Sequence, residues 1–323
     1  MTQFKGAKSH PSTIKLGVPQ GSILGPLLFS IYVNSLPECT SEGVIDMYAD
    51  DTTLTVSAND ATVLEEKITV ALNKVMGWIK KNRLVLNTDK TSVMIIGSHA
   101  NLGKIENFSI SLDGSRIKRV QFTKCLGVLI DEELKWSKQI ENVCKCTQRS
   151  VCMIKRAKAF LPPKSLKLLY NSLMLPQFDY CSVVWSNRFQ YHTTKLEKIQ
   201  KRAARIILDK TYDTPSADLF KSLKWMTLDK RFEFSRVMMI YKCVHNLAPS
   251  YLQVHLVKPS DVHEHHTRLI DSGNLCVPRF RSDCHKCSPI VSSVLEWNRL
   301  DHSIRSASSI YSFKRLFKQS CYL

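Results

Sequence analysis

The tetrapeptide Tyr48-Ala49-Asp50-Asp51 constrains this chain more than any other feature. It lies between two short apolar runs, residues 44–47 and 53–56, which predict the arms of a β-hairpin. Two adjacent carboxylates at a hairpin tip repel each other. Divalent cations would offset that repulsion, because Mg²⁺ prefers oxygen ligands and keeps waters and phosphates in its shell. Without further context, such a pair is usually an ordinary solvated turn.

Three further blocks accompany this hairpin. A glycine-rich loop spans residues 17–29, and two shorter blocks follow the hairpin at residues 86–91 and 125–131. In this order and at these spacings, the four blocks resemble the later palm motifs of reverse transcriptases from non-LTR retrotransposons, jockey-like LINE elements in particular. The resemblance continues more loosely at residues 196–205 and 277–281.

The resemblance implies an α+β fold. It consists of a partial right-hand polymerase palm, in which helices cover an antiparallel sheet, followed by a mostly helical thumb and C-terminal region. We expect the partial palm with motifs B to E at residues 1–137. A basic, helical, thumb-like region follows at 138–212, and a helical or irregular C-terminal region at 213–323.

Local patterns predict particular elements. Ser22 is placed to cap a helix that runs to about Leu36, with one apolar face formed by Leu24, Leu27, Leu28 and Ile31. A second amphipathic helix, from Asp60 to about Lys81, has its apolar residues at 3.6-residue spacing: Leu64, Ile68, Leu72, Val75 and Ile79. Strands are expected at residues 92–96, at 108–112, after the Asp113-Gly114 turn and at 125–130. Beyond Trp136 helices dominate, with a break at Pro162-Pro163 and a loop before a further helix at residues 213–216.

The resemblance implies an RNA-directed DNA polymerase that uses Mg²⁺, dNTPs, an RNA template and a DNA primer. Asp50 would contact both of two metal ions, and Asp51 would complete the shell of one. Lys90 would lie near the triphosphate, where a cation can stabilise charge or protonate the leaving pyrophosphate. The alternative for Lys90 is a solvated side chain at a strand edge.

The glycine-rich loop is the expected nucleotide pocket. By resemblance, Pro19, Gln20 and Gly21 line it: Gly21 lets the backbone approach the nascent base pair, and Gln20 hydrogen-bonds the template or the nucleotide. The alternative is an ordinary turn before a helix. Tyr48 would lie near the primer end, or else pack as a strand aromatic.

The last block corresponds to the hairpin that grips the primer end in this family. Its matching residues are Leu126, Gly127 and Val128. The alternative is a tight turn with two core neighbours.

Positive charge is concentrated in the second part of the chain. The net charge is +18; residues 1–137 hold 15 Lys and Arg against 14 Asp and Glu, whereas residues 138–323 hold 31 against 14, a surplus of 17. Such a surplus attracts polyanions. Residues 142–178 contain seven bases and no acid, and our candidates for contacts to a nucleic-acid backbone are Lys145, Arg149, Lys155 and Arg156. A solvated surface is the alternative, and interleaved bases disfavour an anionic membrane as the partner.

Composition restricts the class of protein. Hydrophobic residues make up 44% of the chain, as in globular proteins. Eleven scattered cysteines favour reduced thiols in the nucleus or cytoplasm over a secreted disulfide framework. We find no signal peptide and no transmembrane segment, and therefore expect an intracellular protein.

A cluster of cysteines and histidines raises the question of zinc. Cys284 and Cys287 form a C-x₂-C pair, and the neighbours are Cys276, His263, His265, His266 and His285. Zinc sites usually show two regular ligand pairs, and the second pair is irregular here. We expect scattered thiols and imidazoles rather than zinc.

The resemblance also indicates what is missing. The family's A motif, with the remaining metal-binding aspartate, lies several tens of residues before motif B and the fingers lie beside it. Here sixteen residues precede Gly17, without Asp or Glu. We expect this chain to be inactive or nearly so on its own, because a two-metal site without a bridging carboxylate binds its ions poorly.

Two further consequences and two alternatives follow. A partial palm should expose an unpaired sheet edge and an apolar face. The alternative function is a non-catalytic, nucleic-acid-binding remnant of a retroelement. A host-encoded maturase-like or telomerase-like polymerase is a third interpretation, which the retroelement-like tail disfavours.

Overall fold

The chain folds into two units. The computed structural model describes residues 3–10, 17–18, 21–105, 108–112, 114–186, 189–261 and 273–321. Their contacts divide them after Gln121 into an amino-terminal unit and a carboxy-terminal unit. Helices and short, mostly antiparallel strand pairs occur together, so the α+β class is confirmed.

The amino-terminal unit combines short strand pairs with three helices among its described residues. The strands are β1 (Gln3–Phe4), β2 (Ala7–Lys8), β3 (Val44–Tyr48), β4 (Asp51–Thr55), β5 (Ser92–Val93), β6 (Ser111–Leu112), β7 (Ser115–Arg116) and β8 (Lys118–Arg119). The helices are α1 (Gly25–Val33), α2 (Ala61–Lys81) and α3 (His99–Gly103), with a 3₁₀ turn at Leu36–Cys39. Strands β1 and β2, β3 and β4, and β6 and β7 pair antiparallel, and β5 and β8 pair parallel.

Helix α2 forms one side of the core of this unit. The Asp60 carboxylate caps it, accepting hydrogen bonds from the N–H groups of Thr62 at 2.7 Å and Val63 at 3.4 Å. Leu64, Ile68 and Leu72 pack against a buried cluster. That cluster consists of Ile95, Leu102, Phe108, Ile110, Leu112 and Ile117. The predicted amphipathic helix is therefore confirmed.

Helix α1 differs from its prediction. It begins at Gly25 rather than after Ser22, and it ends at Val33 rather than near Leu36. Pro26 in the first turn favours this start, because proline fits a helix only where its missing N–H is not needed. The apolar face is not buried: the exposed fractions of Leu24, Leu27, Leu28 and Ile31 lie between 49% and 65%. This exposed apolar face belongs to a helix, whereas the expected one was a face of the palm sheet.

The end of α1 is fixed on the C-terminal end of α2. The Tyr32 hydroxyl donates a hydrogen bond to the carbonyl of Asn82. The indole N–H of Trp78 donates to the Ser35 hydroxyl at 3.1 Å. The 3₁₀ turn that follows buries Leu36. Helix α1 is thus held by its C-terminal end, while its leucines remain in solvent.

The carboxy-terminal unit is one hairpin followed by helices. The hairpin consists of β9 (Phe122–Cys125) and β10 (Val128–Asp131). The first helices are α4 (Ser137–Ala157), α5 (Pro163–Leu173), α6 (Leu175–Asp179), α7 (Ser182–Trp185), α8 (Gln190–Leu208), α9 (Ser216–Leu223), α10 (Leu228–Val244) and α11 (Ser250–Gln253). After a 3₁₀ turn at Pro259–Asp261, the described residues from 273 on form α12 (Asp283–Lys286), α13 (Pro289–Arg299), α14 (His302–Arg305) and α15 (Ile310–Ser320).

The helix break and the loop that the sequence predicts in this unit are confirmed. The break at Pro162-Pro163 separates α4 from α5, and α9 begins at Ser216 after the predicted loop. The single strand predicted at 125–130 is wrong, because Leu126 and Gly127 form the turn between two strands. The strands predicted at 92–96 and 108–112 are shorter, covering only Ser92–Val93 and Ser111–Leu112.

Helix α10 contributes to two hydrophobic cores. Its Leu228 and Phe232 belong to a cluster that begins at Val128, and its Val237 and Tyr241 belong to a second cluster that continues to Phe317. Between them, the guanidinium of Arg236 is buried. It donates to both carboxylate oxygens of Glu296, at 2.7 and 2.6 Å, and to the Ser186 hydroxyl at 2.8 Å. The buried charge is thus paired, as burial requires.

We predict opposite outcomes for two leucine truncations in the α1 region. Leu27 is 58% exposed and Leu36 is 6% exposed. Leu27→Ala should change the free energy of unfolding by less than about 0.5 kcal/mol, whereas Leu36→Ala should lower it by about 2–5 kcal/mol. Urea titration of the full chain measures both. Equal losses would show that the face of α1 is covered in solution.

His192 on α8 should make stability depend on pH. Its side chain is 3% exposed, and burial, with a smaller contribution from Lys195, lowers its pKa from the ordinary 6.5. The unfolded chain therefore binds a proton more readily than the folded one. The contribution of His192 is present above pH 6.5 and is lost as the pH falls below it. The free energy of unfolding between pH 7.5 and 5 should fall less in His192→Gln than in the wild type; an equal fall would contradict the assignment.

Candidate functional site

The β3–β4 hairpin brings three candidate residues together. Tyr48 pairs with Asp51 at the end of the ladder, which leaves Ala49 and Asp50 as the two turn residues. Ala49 has a φ of 54°, in the left-handed region that residues with a Cβ rarely adopt. This tight turn holds Asp50 at the apex, directly before Asp51 on the strand.

The two faces of this hairpin differ in burial. Side chains alternate along a strand, and residues paired across strands share a face. Ile45 is buried and Leu54, its partner, is half-buried. On the other face, Tyr48 is 67% exposed, and Asp46 and Asp51 are exposed as well. Tyr48 therefore does not pack as a core aromatic.

Asp46 is an acidic residue that the sequence analysis did not select. It lies two residues before Tyr48 and therefore on the same exposed face as Tyr48 and Asp51. The period of two in a strand would have identified it, once the register of the hairpin was known. Three carboxylates, those of Asp46, Asp50 and Asp51, thus occur on one hairpin.

The donor chemistry of the hairpin tip suits a hard cation. Carboxylate oxygens are the ligands that Mg²⁺ prefers, and the exposure of Asp50 and Asp51 leaves room for waters and phosphate oxygens. In the part of the chain that the structure describes, no group of three or more His, Cys, Asp or Glu side chains is arranged to hold a metal ion.

The glycine-rich loop is described only in part. Pro19 and Gln20 lie outside the described residues. Gly21 has a φ of 83°, so a side chain at this position would be strained even though nothing crowds it. Lys90 is exposed and lies in a separate turn of the same unit, where its backbone N–H donates to Asn87 Oδ1 at 3.2 Å.

The β9–β10 hairpin has Leu126 and Gly127 as its turn. Cys125 pairs with Val128, and the φ angles of Leu126 and Gly127 are 44° and 88°. Positive φ at both positions is the pattern of a type I′ turn, whose twist matches that of the strands. Leu126 is 46% exposed and Val128 is 6% exposed. The alternative interpretation was a tight turn with both neighbours of Gly127 in the core. Of these two neighbours, only Val128 is buried in the core.

Polar contacts attach this hairpin to helix α4. Gln139 Oε1 accepts a hydrogen bond from the Leu129 N–H at 3.0 Å. The Asp131 carboxylate accepts from the N–H groups of Lys135 at 2.7 Å and Trp136 at 2.6 Å, just before the helix begins. Asp131 thereby joins the end of β10 to the start of α4.

Helix α4 presents the four basic candidates to solvent. Lys145, Arg149, Lys155 and Arg156 are all exposed, and none of them forms an ion pair with a described residue. The opposite face, with Ile140, Val143, Val151 and Ile154, is buried in the first core. Lys158, by contrast, is paired with Asp209. We call the four exposed bases the α4 basic face.

The thiol-rich segment is described in part. Cys276, Cys284, His285 and Cys287 are described, whereas His263, His265 and His266 lie outside the described residues. None of the eleven cysteines, all of which are among the described residues, forms a disulfide bond. None of the described helices is both long enough and apolar enough to cross a lipid bilayer.

Comparison with known proteins agrees with the resemblance. Residues 1–146 match the family model described as reverse transcriptase (RNA-dependent DNA polymerase). The chain is 24% identical, over 80% of its length, to the RNA-directed DNA polymerase from mobile element jockey of Drosophila melanogaster. Over residues 1–146 the chain is therefore similar to the reverse transcriptases of non-LTR retrotransposons. The resemblance seen in the motifs is thereby confirmed.

Other relatives agree. From the same fly, the probable RNA-directed DNA polymerase from transposon BS is 25% identical over 72% of the chain, and the putative 115 kDa protein in type-1 retrotransposable element R1DM is 28% identical over 59%. The chain spans about a quarter of the length of the BS and jockey proteins, 26% and 27%, and 19% of the R1DM protein. No solved structure matches the chain.

We predict that the two glycines Gly127 and Gly77 respond oppositely to alanine. Gly127 has a φ of 88°, whereas Gly77 lies inside helix α2 with open space where a Cβ would be. Gly127→Ala should lower the free energy of unfolding by about 1–2 kcal/mol. Gly77→Ala should raise it by about 0.5–1 kcal/mol, because alanine favours helices. Urea titration decides; a neutral Gly127→Ala would show that the turn differs in solution.

Proposed function

We propose that this chain is part of an RNA-directed DNA polymerase. The enzyme would extend a DNA 3′-hydroxyl along an RNA template by in-line attack on the α-phosphate of a dNTP. The observation that carries the proposal is the tight hairpin turn that exposes Asp50 and Asp51 in a domain of the reverse transcriptase family. In this proposal residues 1–137 form a partial palm, residues 138–212 a thumb-like helical region and residues 213–323 a C-terminal region.

Asp50 and Asp51 would hold Mg²⁺. When bound, two such ions stabilise the charge on the attacking and leaving oxygens. Asp50 at the apex of the turn would contact both ions, and Asp51, whose side chain is on the exposed face with Tyr48, would complete the shell of one. Tyr48 would lie beside the primer end.

Other residues of the chain would position the nucleotide and the primer. The left-handed backbone at Gly21 supports a close approach of the loop to the base pair, with Pro19 and Gln20 beside it. Lys90, an exposed cation, would balance the charge of the triphosphate. Leu126, Gly127 and Val128 would contact the primer strand at its 3′ end.

Primer extension tests the catalytic part of the proposal. We expect the purified 323-residue chain to incorporate few or no dNTPs on an RNA template with Mg²⁺, because two neighbouring carboxylates alone should hold the ions weakly. Robust extension that Asp50→Ala abolishes would contradict the expected inactivity and confirm the polymerase. Extension that survives Asp50→Ala would overturn the role of the hairpin.

The α4 basic face would bind the phosphates of the primer–template duplex. Its four side chains are exposed, and the surrounding residues 142–178 include no acid that could neutralise them. Cations that replace counterions on a nucleic acid make the affinity fall steeply with salt. The surplus of 17 positive charges after residue 137 supports the same partner.

We predict that a triple charge removal on α4 weakens duplex binding. Lys145→Gln, Arg149→Gln and Lys155→Gln together should lower the affinity and reduce the slope of log affinity against log salt by roughly one per lost phosphate contact. The control changes Lys314, Arg315 and Lys318 on α15 to Gln, which removes the same charge from another exposed surface. Equal losses in both variants would show that net charge, rather than the α4 basic face, causes binding.

A non-catalytic nucleic-acid-binding protein is the second candidate function. It is favoured by the uneven charge, which concentrates affinity for polyanions in residues 138–323 and leaves residues 1–137 almost neutral. Duplex binding is expected under either function. Reading the genomic sequence upstream of the Met1 codon separates them: an open frame with a further Asp-bearing strand favours the enzyme, and stop codons favour the binding protein.

A further inference from the structure

The turn of the β9–β10 hairpin is held by an aromatic side chain from the helical region. Tyr180 lies between α6 and α7, far along the chain from the hairpin. Its hydroxyl donates a hydrogen bond to the carbonyl oxygen of Leu126 at 2.5 Å. Its ring covers Gly127, since ring atoms lie 3.5 to 3.9 Å from the position that a Cβ on Gly127 would take.

We infer that Tyr180 is a positioning residue for the turn at Leu126 and Gly127. The inference rests on the proposed function of that turn, contact with the primer 3′ end. Tyr180 itself is not assigned to chemistry. Through Tyr180, the position of the turn depends on the helices as well as on the hairpin itself.

The turn needs such support. A two-stranded hairpin is at best marginally stable in water, and both turn residues have left-handed φ angles. Val128, Gln139 and Asp131 secure the strands, but they act at or after the first residue of β10. The Tyr180 contacts act on Leu126 and Gly127 themselves.

Tyr180 is itself fixed by its neighbours in the chain. Its carbonyl oxygen accepts a hydrogen bond from the indole N–H of Trp185 at 2.8 Å, and Trp185 is fully buried. The preceding residue, Asp179, accepts two hydrogen bonds from Arg231 on α10, both at 2.5 Å. A bidentate pair of this kind fixes orientation as well as distance. The turn is thereby connected through Tyr180 to helix α10.

Tyr180→Phe removes only the hydroxyl and keeps the ring. In the full chain, hydrogen–deuterium exchange of the amides at residues 126–129 should become about threefold to tenfold faster, the range expected for losing one ordinary hydrogen bond. The matched control is Tyr311→Phe on α15, where the ring is 76% exposed. The control should leave exchange at 126–129 unchanged.

A binding measurement tests the link to the primer. One ligand is an RNA–DNA duplex with a recessed DNA 3′ end, and the other is a blunt duplex of the same paired length. The wild-type chain should prefer the recessed end, and Tyr180→Phe should reduce that preference about threefold or more. The dependence of affinity on salt should stay the same in Tyr180→Phe, because no charge is removed.

The exchange measurement tests the positioning role of Tyr180, and the binding measurement tests the proposed function of the turn. Unchanged exchange at 126–129 in Tyr180→Phe, or an equal change in Tyr311→Phe, would overturn the positioning role whatever the binding data. A wild-type chain without preference for the recessed end would overturn the proposed function of the turn, and with it the link of Tyr180 to the primer. Faster exchange together with a lost preference supports both.

Discussion

The repulsion between two neighbouring carboxylates governs where the hairpin tip can lie. Two unit charges 4 Å apart repel by about 1 kcal/mol in water and several times more in a less polar environment. The β3–β4 hairpin meets this constraint by having two different faces. Ile45 and Leu54 bury one face, while Tyr48 and Asp51 remain in solvent on the other. The exposure that keeps the repulsion small also leaves the carboxylates accessible to cations and to a nucleic acid.

Features with a strong local period could be predicted from the sequence. The hairpin followed from two short apolar runs on either side of the Asp-Asp pair, and α2 from apolar residues at helical spacing. The exposure of α1 could not be read in the same way. Periodicity tells which residues share a face, as Leu24, Leu27 and Ile31 do, but it does not tell whether another part of a protein covers that face.

Other features depend on contacts between distant residues. A left-handed leucine is rare, so the local pattern at 125–130 predicts one strand, whereas the motif indicates a turn near Gly127, and the pairing of Cys125 with Val128 shows that turn. Tyr180 and Leu126 are 54 residues apart, so no local pattern predicts their hydrogen bond. The motif identified the turn, while the residue that supports it required the fold.

Helix α10 connects the two hydrophobic cores of the carboxy-terminal unit. Its first half completes the core beneath the β9–β10 hairpin and its second half completes the core around Phe313 and Phe317. The buried Arg236 joins the two halves to Glu296 and Ser186. Loss of packing among the C-terminal helices would therefore disturb helix α10, which carries the Arg231 that pairs with Asp179. A substitution near the end of the chain can in this way destabilise the turn of the β9–β10 hairpin, almost two hundred residues earlier, without any change in the residues of that turn.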